Sequence, residues 1–325
     1  MQVAIDENSA NQRFDRFLRK YCKSYPEVKL SDIYMRIRKW AVMINNKKSK
    51  EKYKLQLGDV VQFRDKALLW ERSPLLLLGN KKDKIATVNK ERVKKMILFE
   101  DTHWLVFDKP AGVVLHGWNK HTADLTMNDY LAVVIGWEDI ETSTFKPAFG
   151  YRLDKDTSGV LIAGKTYDAL QYLNEIIRER KIDKQYMAWV LGTTPSHGEI
   201  DLRLEKGFDK TFGKSRVWVK KDWEWTAKTS FETVKTIKHK DLWELSLLKL
   251  KIYTGRMHQI RVHLAHIGYP LLWDLMYGNP AINRKMYKVL KINRQLLHCW
   301  RYGFEDPYLH KLVEFVAPVP KDFSI

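Results

Sequence analysis

Residues 151–165 read YRLDKDTSGVLIAGK, a polar segment that runs directly into an apolar one. The apolar residues 160–163 lie between two glycines, and a short run bounded in this way predicts a buried strand. The polar part would then hold the carboxylate of Asp154 at a strand edge, next to Arg152. On its own the pattern fits an ordinary Asp turn, because Thr and Ser hydroxyls also cap such turns.

Residues 159–166, GVLIAGKT, also match the phosphate-loop pattern GxxxxGKT. A phosphate loop needs a pliable backbone whose amides turn toward the phosphates. The four variable positions here are instead the apolar residues of the predicted strand. We therefore predict no nucleotide hydrolysis at this segment.

A second segment, residues 253–270, reads YTGRMHQIRVHLAHIGYP. It places several polar side chains among apolar ones, where burial is costly unless partners satisfy them, so we expect a paired site. Its polar residues include Arg256, His258, Gln259, Arg261 and His263. The histidine spacing lacks an HExxH pair and no cysteine is near, so we predict no metal.

The composition of the 325-residue chain predicts about two domains and no membrane span. Hydrophobic residues make up 45% of the chain, and its apolar runs are far shorter than the roughly 20 residues that a membrane helix needs. The N-terminus shows no secretory signal. Cys22 and Cys299 lie far apart in sequence, which favours a reducing compartment without disulfides. We expect a soluble, cytoplasmic protein.

The charge is unevenly distributed along the chain. The formal net charge is +18, and residues 1–65 contribute +7 of it. Lys and Arg bind polyanions because each phosphate contact releases counterions. The charge therefore predicts a nucleic acid partner, although a solvated basic surface would have the same composition.

Residues 11–65 predict a small basic unit of helix, helix, strand, turn and strand. Ser31 is a suitable N-cap for the second helix. The unit resembles the S4 RNA-binding domain, with a strand that ends in Asn45 and a closing LxxGDxV at 55–61; Trp40 stands where that family usually has Gly. Two basic helices suit folded RNA, which is recognised largely by its shape, although simple helical packing is the alternative. The candidate RNA contacts are Arg16, Arg36, Arg38 and Lys39.

Beyond this unit, residues 66–95 are polar with weak periodicity, and we expect a linker there. From 96 to 325, short apolar runs alternate with turns and a few helical stretches such as 167–180. Regular alternation of strands and helices is missing, so we predict an α+β fold with a mainly antiparallel mixed sheet and flanking helices.

The segments 151–165 and 253–270 together resemble the RluA-type family of RNA pseudouridine synthases, which carries HRLDxxTSGxLL and, about a hundred residues later, TGRxHQIRxHLAxxGxP. Other family blocks occur in order at 99–117, 184–192, 227–231, 273–278 and 296–307. The resemblance covers residues 11–325. With the S4-like unit and the aromatic residue before Asp274, it is most similar to RluC-like enzymes of large-subunit ribosomal RNA.

The resemblance implies a role for each matching residue. Asp154 matches the nucleophile that attacks the target uridine, and Tyr186 matches the tyrosine that stacks on the base and assists proton removal from C5. Arg261 matches the arginine that pairs with the aspartate, and Arg152 the one that fills the space of the flipped nucleotide. The base must leave its stack to react. Such an isomerisation consumes nothing, so no cofactor is expected.

Three further residues extend these expectations. Lys109 of DKPAG and Arg256 of TGR are candidate substrate contacts, with a surface turn as an equal alternative for Lys109. Tyr151 replaces the family His, which should change packing or RNA contact and leave activity intact. We expect a monomer that binds RNA and no membrane. A transfer RNA isomerase of the same family and a catalytically silent ribosome-assembly protein remain alternatives.

Overall fold

The structure, a computed structural model, describes residues 2–7, 9–22, 30–64, 88–116, 125–136, 145–220, 226–239 and 244–325. The helices within these ranges are α1 (Phe14–Tyr21), α2 (Leu30–Arg38), α3 (Lys90–Lys94), α4 (Met127–Ile135), α5 (Tyr167–Arg178), α6 (Gln259–His266) and α7 (Pro280–Leu290). The strands are β1 (Gln2–Ala4), β2 (Val42–Ile44), β3 (Val60–Phe63), β4 (Ile97–Glu100), β5 (Trp104–Lys109), β6 (Ala148–Phe149), β7 (Ser158–Gly164), β8 (Asp183–Leu191), β9 (His197–Asp209), β10 (Lys214–Val219), β11 (Thr226–Lys238), β12 (Glu244–Ile252), β13 (Leu297–Asp306) and β14 (Lys311–Val316).

The N-terminal unit contains a three-stranded antiparallel sheet in the order β1-β3-β2, with α1 and α2 packed on a core of their own. The predicted start at residue 11 is wrong. Strand β1 pairs with β3, and Ile5 and Ala10 are buried in this core. Local periodicity could not reveal this strand, because it has only three residues and its partner lies almost 60 residues away.

Two turns of the N-terminal unit involve residues singled out from the sequence. Trp40 adopts φ 60°, the left-handed conformation that Gly takes more readily, so the turn after α2 forms despite the substitution. The Asn45 amide donates to Asp59 at 2.6 Å and its oxygen accepts from the Val60 backbone at 2.7 Å.

Ser31 lies inside α2, one residue after the first residue of the helix, so its predicted capping role is wrong.

The rest of the described chain is built on one mixed sheet, which confirms the α+β class. Its main path runs β10-β9-β11-β12-β8-β13-β7-β5-β4, while β14 pairs with β13 and β6 with β7. The pairings are antiparallel except for β13 with β7. The segment GVLIAGKT contributes six residues to the fully buried strand β7, and the expected strand is therefore confirmed.

The end of the predicted linker at residue 95 is also wrong. Helix α3 occupies Lys90–Lys94 and is capped by Asn89, whose side chain accepts a hydrogen bond from the Arg92 backbone. Val93 is 1% exposed and belongs to the core of the large sheet. One buried residue in a five-residue helix is too weak a signal for periodicity. The remainder of the predicted linker, 66–87, lies outside the described residues.

The centre of the sheet is closely packed where β7 meets β13. Gly159 has φ 112°, and a Cβ atom there would lie 2.1 Å from the carbonyl oxygen of Cys299. Only glycine permits this approach. Cys299 is buried, as is Cys22, and both thiols are free. Among the described residues, no helix is long and apolar enough to cross a membrane.

Candidate active site

Asp154 lies in the short loop that leads into β7, with its side chain 19% exposed. Its carboxylate accepts a hydrogen bond of 2.9 Å from Nη1 of Arg261, which lies in the first turn of α6. The two residues are 107 positions apart in sequence. The fold therefore brings together the centres of the two segments that the sequence singled out.

A second carboxylate holds Arg261 in place. Nε and Nη2 of Arg261 donate to the two oxygens of Asp274 at 2.7 and 2.9 Å. Asp274 is fully buried and also accepts from the backbone amides of Met276 and Tyr277. Arg261 thus makes a bidentate pair behind the site and presents its remaining nitrogen to Asp154, a rigid arrangement that a lysine could not reproduce.

The electrostatics of the site favour an ionised Asp154. Burial alone would raise the pKa of this carboxyl, but in the acidic range where Asp154 titrates, positive charge on His258 and Arg261 and the Arg261 hydrogen bond outweigh burial, so the pKa is lowered. Burial also lowers the pKa of His258 to about 4. At neutral pH His258 is therefore neutral, and Arg261 supplies the positive charge.

His258 also belongs to the site. Its Nε2 lies 3.7 Å from the Asp154 carboxylate, and its Nδ1 is 3.0 Å from the Tyr277 hydroxyl. His263, in contrast, is fully buried, and neither ring nitrogen has a hydrogen-bond partner within the described chain. Burial lowers its pKa to about 4, which keeps the ring neutral.

Tyr186 reaches the same site from the centre of β8. It is 6% exposed, and burial raises the pKa of its phenol well above the usual value, with the neighbouring Cys299 thiol as a hydrogen-bond partner. The phenol therefore stays protonated at neutral pH. Behind it, Tyr151 stacks on Tyr302 with ring centroids 4.7 Å apart and donates to the Val160 carbonyl at 2.7 Å. Tyr151, which replaces the family His, therefore packs in the wall of the site.

The structure contradicts both predictions for Lys109, a direct contact with the substrate and a position in a surface turn. Lys109 is fully buried. Its Nζ donates to the carbonyls of Pro110, Lys155 and Thr157 at 2.8 to 2.9 Å, which uses all three of its protons. The last two carbonyls flank the loop that follows Asp154. Lys109 therefore ties the DKPAG loop to the loop that carries the candidate nucleophile.

The other predicted substrate contacts lie on accessible surface. Arg152 is exposed and close enough for its charge to act on Asp154. Arg256 is exposed and lines a cavity between α5 and the ends of β8 and β12. In the N-terminal unit, Arg16, Arg38 and Lys39 are exposed and Arg36 is half-buried.

Sequence reasoning gave no role to Asp274, Tyr277 or Cys299. The first two lie in the block WDLMYG, which matches the family without implying a role for either residue. A buried arginine such as Arg261 needs a carboxylate partner, because unpaired buried charges are rare, and this need could have pointed to Asp274. Cys299 offered no local signal, since its contact with Tyr186 joins different strands.

Taken together, the site contains an ionised carboxylate, a fixed arginine, a neutral histidine and a protonated buried phenol. An ionised carboxylate next to a buried aromatic ring can act as a nucleophile toward a base or sugar that stacks on that ring. Within the described residues, no group of three His, Cys, Asp or Glu side chains is arranged to hold a metal.

The family model described as RNA pseudouridylate synthase matches residues 103–266, which include Asp154, Tyr186 and Arg261. The chain is 33% identical to the ribosomal large subunit pseudouridine synthase C of Buchnera aphidicola (subsp. Schizaphis graminum), over 99% of this chain and 95% of that protein. It is 30% identical to the protein of the same name from Escherichia coli, over 98% and 92%. The human RNA pseudouridylate synthase domain containing 4 structure shares the fold, with a TM-score of 0.56 and 22% identity over 74% of this chain and 94% of that one.

Proposed function

The chain belongs to the RNA pseudouridylate synthase family, and we propose that it isomerises uridine to pseudouridine in large-subunit ribosomal RNA. The observation that carries the proposal is the Asp154 carboxylate, held by Arg261 at 2.9 Å beside the buried Tyr186 phenol. The choice of ribosomal RNA rests on the two curated relatives, both named for the ribosomal large subunit and aligned over almost their whole length.

In the proposed reaction, the target uridine leaves the RNA stack and its base packs against Tyr186. Asp154 attacks as the nucleophile, the bond from N1 to the ribose breaks, and the uracil rotates. A bond then forms between C5 and the ribose and displaces the Asp154 carboxylate from its adduct, C5 loses its proton, with Tyr186 assisting, and N1 gains one. Atoms and electrons balance, because pseudouridine is an isomer of uridine.

Arg261 has two tasks in this scheme. Its charge keeps Asp154 ionised when RNA excludes water from the site, where an unpaired carboxylate would otherwise take up a proton. Its bidentate pair with Asp274 fixes the guanidinium, so Asp154 is held in one orientation before substrate binds. Lys109 supports the same loop through the carbonyls of Lys155 and Thr157.

The S4-like N-terminal unit adds phosphate affinity in this proposal. Arg16, Arg38 and Lys39 are exposed on its two helices and in the turn after α2. Each contact of such a side chain with a phosphate contributes to affinity through counterion release and carries no base specificity. Arg152 and Arg256 would contact the strand near the target base. We further propose that the protein works as a cytoplasmic monomer.

The test is to map pseudouridines in total RNA from cells that carry the wild-type gene, no gene, or the variant Asp154→Asn. We expect the deletion and the variant to lose the same pseudouridines, all in large-subunit ribosomal RNA, because an amide cannot replace the nucleophile. Asp156→Asn is the matched control, since Asp156 lies two residues further in the same loop and should retain every modification.

Two results would contradict the proposal in different ways. Pseudouridines that persist in the Asp154→Asn strain would exclude Asp154 as the nucleophile. Loss confined to transfer RNA would leave the chemistry intact and show that the substrate is wrong. A purified Asp154→Asn protein that still binds ribosomal RNA would exclude misfolding as the cause of lost activity.

A further inference from the structure

We infer that a cavity beside the active site binds a phosphodiester of the RNA strand adjacent to the target uridine, an inference that rests on the proposed function. The cavity has a volume of about 300 Å³ and lies between the C-terminal end of α5, the start of β8 and the end of β12. Four cationic side chains line it: Arg178, Arg180, Lys184 and Arg256. Three of these four were not among the residues singled out from the sequence.

The lining is rich in positive charge. None of the ten described residues that form it is acidic. The two carboxylates at the end of α5 do little to offset the charge. Glu179 is paired with Lys181 at 2.8 Å, and Glu175 approaches Arg178 only at 3.9 Å between two exposed side chains, a contact of little strength. A small space with several cations and no acid is suited to an anion.

Lys184 makes the strongest case for a ligand. It is only 9% exposed, and its Nζ lies over the rings of Tyr151 and Tyr302, 5.5 and 5.6 Å from their centroids. None of the ion pairs in the described part of the chain includes it. A buried ammonium without a carboxylate is costly, and burial lowers its pKa to about 8. A phosphate oxygen in the cavity would supply the missing partner.

The position of the cavity fits a neighbouring nucleotide. Lys184 and Tyr186 are two residues apart on one face of β8, which separates them by about 7 Å along the strand. Lys184 also contacts Tyr151, three residues before Asp154. The cavity therefore lies beside the active site, displaced along β8 by about the 7 Å that separates Lys184 from Tyr186. An RNA strand whose target base stacks on Tyr186 would carry its adjacent phosphate toward Lys184.

The end of α5 presents arginines in an unusual way. Arg180 adopts φ 60°, the left-handed conformation that most often belongs to Gly at the end of a helix. Arg178 is the last residue of α5. The helix thus ends with two arginines that line the cavity, where a glycine would make the same turn with less strain.

The experiment compares full-length wild type, Arg178→Gln, Arg180→Gln and the double variant, with Lys288→Gln as a charge-matched control. Lys288 is exposed on α7, which packs near the opposite end of β8. Affinity for large-subunit ribosomal RNA from cells lacking the gene is measured at several salt concentrations. Each lost phosphate contact should reduce the slope of log affinity against log salt by about 0.7 to 0.9. We expect this reduction in each single variant, twice it in the double variant, and the wild-type slope in the control.

Slopes that equal the wild-type slope in all three arginine variants would overturn the inference. A second arm of the experiment adds uridine monophosphate as a competitor. Competition that depends on these arginines, without any change in the salt slope of RNA affinity, would also overturn the inference, because the site would then bind a free nucleotide. Pseudouridine formation is assayed in parallel. Reduced slopes in a protein that forms no pseudouridine would support the phosphate site and reject the proposed function, whereas unchanged slopes in an active enzyme would reject the site alone.

Discussion

Replacing Asp274 by Asn tests whether the bidentate pair with Arg261 positions the candidate nucleophile. Asp274 is fully buried and its two oxygens accept from Nε and Nη2 of Arg261 at 2.7 and 2.9 Å. An amide would turn an NH₂ group toward one of these donors and would remove the negative charge. Breaking a buried ion pair from one side costs about 3–5 kcal/mol, so we expect a loss of unfolding free energy of that size in urea denaturation.

The same change should reduce activity more than substrate affinity. With an amide at position 274, Arg261 keeps one hydrogen bond to the amide oxygen and its 2.9 Å contact with Asp154, but the bidentate pair is lost and the guanidinium can turn away. A displacement of about 1 Å in a catalytic arrangement can cost roughly a hundredfold in rate. We therefore expect pseudouridine formation at saturating RNA to fall by about ten- to a hundredfold in single-turnover assays.

Asp306→Asn is the matched control for this prediction. Asp306 is 2% exposed and accepts from Nε1 of Trp104 at 2.7 Å and from two backbone amides, so it is a buried carboxylate without an arginine. Loss of one hydrogen bond to a neutral donor should cost only about 1–2 kcal/mol. Equal destabilisation of the two variants, together with a wild-type rate for Asp274→Asn, would refute the positioning role.

Three further outcomes can be checked with simple variants. Gly159→Ala should prevent folding or lower the free energy of unfolding by more than about 4 kcal/mol, since its Cβ would lie 2.1 Å from a backbone oxygen of β13. Gly112 also has a positive φ but has open space around it, so Gly112→Ala should cost only about 1 kcal/mol in thermal unfolding. Burial lowers the pKa of Lys109 from 10.5 to about 7. Between these two pH values the unfolded chain binds more protons than the folded chain, so the free energy of unfolding should rise with pH over this range. Lys109→Met should remove this rise when urea denaturation is measured at several pH values. Arg38→Gln and Lys39→Gln should each reduce the salt slope of RNA affinity by about 0.7 to 0.9, and an unchanged slope would mean that these helices face solvent.

The local pattern of the sequence determined several elements directly. Residues 158–164 form the buried strand that their apolar run predicts, and α5 lies at Tyr167–Arg178 within the stretch expected to be helical. These elements are decided by side chains close together in sequence, so periodicity reports them. The family resemblance of the two motif segments also implied that Asp154 and Arg261 pair, and the structure places them 2.9 Å apart.

Other features depend on residues that meet only in the folded chain. Strand β1 was missed because its partner β3 begins almost 60 residues later, and α3 was missed because a single buried valine joins it to the core. The sequence suggested a substrate contact or a surface turn for Lys109, while the fold surrounds it with carbonyls 46 and 48 residues away.

The electrostatic character of the site was likewise decided by tertiary structure. Asp274 and the anion-binding cavity at Lys184 arise from contacts among α5, α6, β8 and β12, and no local stretch contains them. Hydrophobic periodicity and turn residues are set by neighbours along the chain, so sequence determines strands, helices and motif positions. The protonation state and orientation of a buried group depend on every charge and dipole packed around it, and only the tertiary structure decides which groups those are.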